Sequence, residues 1–225
     1  MSLMFKPELS RLKGQKRDQK ILKFIKQVKY TDSKQIDTLF FSDVKRVQKC
    51  LRRLQILSDR QNINRHRPRK DGGYIYYSKH RQYIPEAEKI ISVNWVLVNI
   101  LLNRKELLRQ GVCVRILKFK HNYQCNANLY IDALMVLEVS TNEGAVKMTI
   151  PYFIKVDFSE EFYSLLTAYF QTDEYRELQK DTGSNMKPQI IFLGQFNQQR
   201  YKDALMVNMV DLQNNIFRLQ SLQIC

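Results

Sequence analysis

The sequence predicts an α+β protein made of two domains, residues 1–82 and residues 89–225, and three observations support this organisation. Residues 1–82 hold 22 Lys and Arg against 7 Asp and Glu, whereas residues 83–225 hold 15 of each, so positive charge is concentrated at one end. Apolar residues in the first part recur at the spacing of short helices and then of a hairpin. The second part alternates helical stretches with runs of β-branched residues, which is typical of an α/β domain.

The uneven charge indicates a polyanionic partner for the first domain. The chain has a net charge of +15 at pH 7, and residues 1–82 carry all of it. Nucleic acid is therefore the first candidate partner, and an anionic membrane surface is the second.

No apolar run approaches the roughly 18 residues that a membrane span requires, and the first residues lack the apolar block of a secretory signal. We expect a soluble, cytoplasmic protein.

Neither a metal site nor a disulfide framework is predicted. The four Cys and three His residues are scattered along the chain without the paired spacing of zinc ligands. Cys50 and Cys113 lie among apolar neighbours, where a free Cys usually acts as a small buried hydrophobic residue. The sequence also contains no glycine-rich phosphate loop and no nucleophile elbow. We therefore expect no cofactor.

Two amphipathic helices open the first domain. Between residues 18 and 28, apolar side chains recur at helical spacing with lysines between them. Residues 30–33 then supply N-cap side chains for a short second helix that ends at Phe41-Ser42. Ser42 or Asp43 can cap a third helix.

The third helix carries most of the predicted DNA-contacting residues. Its 3-4-3 spacing predicts a buried face formed, together with Cys50, by Val44, Val47, Leu51 and Leu54. The outward face then consists of Lys45, Arg46, Gln48, Lys49, Arg52 and Arg53. A basic outward face is also typical of a solvated surface helix, so this helix alone does not establish DNA binding.

A basic hairpin follows the third helix. Residues 61–64 and 74–77 are predicted strands, and the loop between them carries Arg65, Arg67, Arg69 and Lys70 ahead of two glycines. Three helices followed by a hairpin form a winged helix-turn-helix, whose third helix lies in the major groove and whose wing follows the backbone or a narrow minor groove. The sequence therefore predicts binding of double-stranded DNA. A winged helix used only for protein contacts would leave the charge unexplained.

The second domain is predicted to run helix, strand, strand, strand, helix, strand. The helices are residues 92–110 and 160–178, and the strands are residues 112–119, 129–139, 149–156 and 189–193. The second strand is apolar on nearly both faces, as expected for a central strand.

A resemblance to a known family rests on the winged helix and on short segments of this second domain. The segments are Ser92-Val93-Asn94, Tyr130-Ile131-Asp132-Ala133-Leu134, Phe153-Ile154-Lys155-Val156-Asp157 and Tyr169. On these, roughly residues 18–205 resemble the replication-relaxation family of plasmids and other mobile elements. The resemblance implies a winged helix joined to a degenerate restriction-endonuclease-like α/β domain (α-β-β-β-α-β). It also implies a role in replication, transfer or the control of element genes.

The resemblance also implies where a nuclease site would lie. In active members of that wider fold, an Asp on the second strand and an acidic residue two positions before a Lys on the third strand hold Mg²⁺. Asp132 fits the first position, but Lys155 and Asp157 stand in the inverted order. We expect these residues to form a structural ion cluster and the protein not to be an enzyme. A relocated Mg²⁺ site using Asp132, Asp157 and Glu138 is the alternative.

These features predict a sequence-specific double-stranded DNA-binding protein of a plasmid or mobile element. A homodimer is expected, because one winged helix covers too little DNA for tight discrimination. One alternative is a Mg²⁺-dependent DNA nuclease. Another is an adaptor whose second domain recruits a relaxase or replication initiator through an exposed apolar patch at Phe158, Phe162 and Tyr163.

Overall fold

The protein is a mixed α+β structure, and its described residues form one three-stranded and one six-stranded sheet. The computed structural model describes residues 14–41, 47–141, 147–196 and 200–213. The chain divides into two compact units after Leu101, which we call the N-terminal unit and the C-terminal unit. Within the described stretches, no helix is both long enough and apolar enough to cross a membrane.

The N-terminal unit contains the three predicted helices and the predicted hairpin, and it adds an unpredicted strand between the first two helices and the first part of a fourth helix. Its elements are α1 (Gly14–Val28), β1 (Tyr30–Asp32), α2 (Ser33–Phe40), α3 (Val47–Asp59), β2 (Ile63–His66), β3 (Ile75–Ser78) and the first part of α4 (Ala87–Arg109). Strand β3 lies in the middle of the sheet and pairs with both β1 and β2. The side chain of Asp32 accepts a hydrogen bond of 2.7 Å from the backbone N–H of Gln35 and thereby caps α2.

Buried amides attach the first part of α4 to the rest of this unit. The side-chain NH₂ of Asn94 donates to the backbone carbonyls of Val28 (3.1 Å) and Tyr30 (2.7 Å). The side-chain NH₂ of Gln35 donates to the carbonyl of Ile91 at 2.8 Å. Both amide side chains are fully buried. The division between units therefore falls inside α4, and not in the linker near residues 83–88 at which the sequence places it.

The C-terminal unit is built on the six-stranded sheet. Its elements after α4 are β4 (Val112–Gln124), β5 (Tyr130–Thr141), β6 (Lys147–Val156), α5 (Glu160–Tyr169), α6 (Asp173–Thr182), β7 (Gln189–Gly194), β8 (Arg200–Tyr201), β9 (Ala204–Asn208) and α7 (Met209–Gln213). The strand order is β4-β5-β6-β7-β9-β8. Strands β4, β5 and β6 are antiparallel, β7 is parallel to both β6 and β9, and β8 is antiparallel to β9.

Two features of this unit differ from the sequence prediction. The single helix predicted over residues 160–178 is two helices, because the chain turns between Tyr169 and Asp173. The second of them, α6, is capped by Gly183, whose φ is 64°. Strands β8 and β9 extend the sheet beyond the predicted last strand.

The apolar patch proposed for a partner protein is largely internal. Tyr163 is buried in the core beneath α5, and the rings of Phe158 and Phe162 pack edge-on against Phe192 at centroid distances of 5.1 and 6.1 Å. These residues therefore stabilise the C-terminal unit by burial of apolar area and aromatic contact. Of the three residues of the predicted patch, only Phe158 and Phe162 are partly exposed.

We expect Asn94→Ala to lower the free energy of unfolding by about 2–4 kcal/mol, because the carbonyls of Val28 and Tyr30 would lose a buried hydrogen-bond donor. Urea unfolding followed by circular dichroism measures the change. Asn62→Ala is a suitable control, because this side chain is exposed and should change stability by less than about 0.5 kcal/mol. Equal effects of the two substitutions would contradict a structural role for Asn94.

Candidate nucleic-acid interface

The exposed face of α3 holds three of the predicted DNA-contacting residues. Gln48, Lys49 and Arg52 are all exposed, and their spacing along the helix places them on neighbouring positions of one surface. Lys45 and Arg46 belong to the same prediction but lie outside the described residues.

The buried face of α3 is rotated relative to the sequence prediction. Cys50 and Leu54 are buried as predicted, together with Leu57, whereas Leu51, which was predicted to face inward, is 43% exposed. Val44 and the side chain of Val47, also predicted to face inward, lie outside the described residues. The prediction for Leu51 was wrong because Leu57 continues a second apolar stripe at helical spacing, and this stripe is the one that enters the core. Burial raises the pKa of Cys50 to about 12, so its thiol stays protonated and acts as an apolar group.

The rotation also moves Arg53 away from the outward face. Its guanidinium forms a two-pronged ion pair with the carboxylate of Asp18 in α1, with Nε 2.6 Å from Oδ1 and a second contact between Nη2 and Oδ2. The Arg53 side chain is only 27% exposed. The guanidinium thus ties α3 to α1, and a role of Arg53 in DNA contact stays a prediction.

Tyr74 organises the basic residues at the loop end of the hairpin. The guanidinium carbons of Arg65 and Arg67 lie 4.8 and 5.7 Å from the centre of its ring. Arg65 also donates to the side-chain oxygen of Gln55 in α3, which connects the helix to the hairpin. Of these two arginines, Arg67 is the more exposed, so it is the one available to a polyanion.

The tip of the hairpin presents further positive charge. Arg67 donates from Nε to the carbonyl of Gly72 at 3.0 Å, which closes the loop. Arg69 and Lys70 are exposed, and the contact of Arg69 with Glu88 is long (3.9 Å) and solvent-exposed. Such a pair contributes little in water, so the Arg69 guanidinium can exchange it for a phosphate.

Sequence reasoning missed Tyr74 and Leu51 as residues of this surface. The alternation of Arg65 and Arg67 on one side of a strand, with an aromatic residue across the hairpin, was the available signal for Tyr74. No local signal identifies Leu51, because two apolar stripes overlap in α3 and only the packed structure decides between them.

In the C-terminal unit, Asp132 lies where β5 and β6 diverge. One carboxylate oxygen accepts a hydrogen bond of 2.7 Å from the backbone N–H of Val156, and the other lies 3.8 Å from Nζ of Lys155. Lys155 also donates to the carbonyl of Tyr130 at 3.5 Å and lies over the ring of Phe162. Asp132 and Lys155 therefore form an ion pair, which brings together two of the three residues of the predicted cluster.

Asp157 and Glu138 do not join this pair. β6 ends at Val156, and Asp157 is an exposed residue with φ of 65°, so strand alternation does not extend to it as the sequence suggests. Glu138 binds Arg115 (3.1 Å) and Lys147 (2.8 Å), and the hydrogen bond from Lys147 lowers the pKa of its carboxyl. No group of three or more His, Cys, Asp or Glu side chains in the described stretches could hold a metal ion.

We expect Arg53→Ala to lower the free energy of unfolding by about 1–3 kcal/mol, because it leaves the partly buried Asp18 carboxylate without its partner. Arg52→Ala, one position along the same helix, removes an exposed side chain and should cost less than about 0.5 kcal/mol. Urea unfolding of both variants measures the difference. A double-mutant cycle with Asp18→Ala should show strong coupling for Arg53 and none for Arg52, and the reverse pattern would refute the assignment.

We expect Asp132→Ala to destabilise the protein by about 2–4 kcal/mol, because the Val156 N–H loses its acceptor and Lys155 loses its carboxylate. Asp132→Asn is the matched control, since an amide oxygen can still accept from Val156 and should retain part of that stability. Thermal and urea unfolding measure both variants. If both variants were as stable as the parent protein, Asp132 would not hold the two strands together.

Comparison of the chain with protein-family models, with curated proteins and with solved structures finds no match in any of the three. The function is therefore argued from the charge and geometry of the chain itself.

Proposed function

We propose that the N-terminal unit is a winged helix that binds double-stranded DNA with sequence preference. In this proposal the protein acts in replication, transfer or transcriptional control of a plasmid or mobile element. The observation that carries the proposal is the coincidence of two facts. Residues 1–82 hold the entire net charge of +15, and the exposed cations of that segment include Lys49 and Arg52 on α3 and Arg67, Arg69 and Lys70 on the hairpin that follows it.

The order of elements supports the winged-helix interpretation. Helices α1, α2 and α3 precede the β2-β3 hairpin, and β1 completes the sheet by pairing with β3. In such an arrangement the last helix enters the major groove while the hairpin lies beside it. Gln48, Lys49 and Arg52 on α3 would then face base edges or phosphates.

The hairpin suits a different kind of contact. Arg67, Arg69 and Lys70 are exposed and lie close together in the sequence. Cations on a mobile side chain suit phosphates, which position a protein on DNA without reading the sequence. A narrow minor groove would attract the same residues.

We propose that the C-terminal unit serves assembly and not catalysis. Three antiparallel strands, helices, and a strand parallel to the third agree with a degenerate endonuclease-like core. Both oxygens of Asp132 are already engaged, and a metal ion would have to displace Lys155. A homodimer would double the DNA surface covered, and recruitment of a relaxase or replication initiator is the other form that assembly can take.

Duplex binding by the full chain tests the proposal, with a fluorescently labelled 30-bp DNA and anisotropy as the measurement. Six phosphate contacts would give a slope of about −5 in log K against log salt. The double variant Lys49→Ala/Arg52→Ala should bind about tenfold more weakly or worse. The matched control, Arg176→Ala/Lys180→Ala on α6, removes the same charge from exposed positions of the C-terminal unit and should change little.

Sequence preference is tested with the same anisotropy measurement on duplexes of different sequence. Arg67→Ala and Arg69→Ala should weaken binding to all duplexes about equally, whereas Arg52→Ala should lose roughly 1–3 kcal/mol at one base-pair position. If the α3 variant and the α6 control bound equally well, the proposed interface would be wrong. Affinity that did not depend on salt would equally contradict it.

A further inference from the structure

One exposed apolar side chain lies at the edge of the polar, cationic face of α3, next to the buried stripe of Cys50, Leu54 and Leu57. Leu51 is 43% exposed, and within the described part of the N-terminal unit it is the one large hydrophobic side chain with this degree of exposure. The neighbouring Cys50 is completely buried, so the helix presents Leu51 outward while its core face is already filled. An isolated exposed Leu carries no meaning by itself, and its surroundings decide what it can bind.

Those surroundings are suited to DNA. Gln48 lies one turn before Leu51, and Gln55 lies one turn after it, so all three share one side of the helix with Arg52 beside them. The Gln55 amide is occupied, because it accepts from Arg65 and donates to Asp59 at 2.7 Å. Gln48 and Arg52 are both exposed, and both lie on the side of Leu51 that faces away from the core.

The chemistry of the major groove explains an apolar residue at this position. The 5-methyl group of thymine is the one apolar group that the base edges present there. Phosphates attract the cations of this face but offer nothing to a Leu side chain. A Gln side chain can form two hydrogen bonds with adenine, the partner of thymine in the same base pair.

We infer that Leu51 is a specificity-determining residue that packs against the 5-methyl group of a thymine, so that the protein prefers an A·T pair at the position facing the middle of α3. The inference rests on the proposed function, since it requires α3 to lie in the major groove. Beyond the proposed function, it names the base that α3 selects, thymine, and the residue that selects it, Leu51. Gln48 provides a polar contact to the same pair or to the adjacent one.

The experiment compares thymine with uracil, which differ only by this methyl group. A duplex is first selected by the full chain from a pool of random-sequence 30-bp DNA. Each thymine of the selected duplex is then replaced in turn by deoxyuridine, and affinity is measured by anisotropy. We expect one or two replacements to weaken binding by about three- to fivefold, the effect of losing one buried methyl group.

The variant Leu51→Ala should bind the thymine and uracil forms of that duplex equally. Because Leu51 is exposed, this substitution should leave the fold intact, and circular dichroism checks that it does. Leu165→Ala is the matched control, since Leu165 is 52% exposed on α5 of the C-terminal unit. This control should keep the full thymine preference of the parent protein.

The possible failures are distinguishable. If no duplex is bound, the proposed function fails and the inference fails with it. If a duplex is bound but no thymine can be distinguished from uracil, DNA binding stands and the role of Leu51 is refuted. Thymine preference that persists in Leu51→Ala assigns the methyl contact to another residue. If size-exclusion chromatography shows that Leu51→Ala dissociates a homodimer while DNA selection is unchanged, Leu51 lies in a protein–protein contact and the inference is refuted.

Discussion

The buried Asn94 amide is the interaction on which the N-terminal unit depends. Helix α1 ends at Val28, whose carbonyl has no partner within the helix, and Lys29 then turns the chain with φ of 70°. Asn94 satisfies this carbonyl and that of Tyr30 from α4, while Gln35 in α2 binds the α4 backbone at Ile91. Helices from distant parts of the sequence are thus fixed to one strand, and this arrangement supports the α3 surface.

The rotation of α3 about its own axis decides which side chains are exposed. Two contacts set it, namely the burial of Cys50 and Leu54 and the ion pair of Arg53 with Asp18. Successive residues of a helix are 100° apart, so a buried face shifted by one position exchanges a buried side chain for an exposed one. Relative to the sequence prediction, Leu51 is more exposed and Arg53 is less exposed.

The sequence predicted the types and order of most elements because these follow local spacing. Helices α1 to α3, the hairpin and strands β4 to β7 all carry periodicity that short-range reasoning detects. What it missed depends on distant partners. Asp18 lies 35 residues before Arg53, and Gln35 bonds to a residue 56 positions away. The break between α5 and α6 was missed because the apolar pattern continues through Tyr169 and Tyr175, both of which are buried.

The carboxylates of the C-terminal unit show why residue identity alone does not define a metal site. Asp132 occupies the expected strand position, but its oxygens bind the Val156 N–H and face the Lys155 ammonium. The hydrogen bond from the Val156 N–H replaces a strand contact where β5 and β6 separate. The Asp132 carboxylate, which a metal cation would need, is therefore already bound within the protein. Glu138 is likewise neutralised by Arg115 and Lys147.

Internal ion pairs of this kind neutralise charges within the C-terminal unit. The exposed side chains of Lys49, Arg52 and Arg67 in the N-terminal unit can instead bind an external anion. The electrostatic attraction for a polyanion is therefore concentrated at one end of the chain, as the distribution of its 37 basic residues requires.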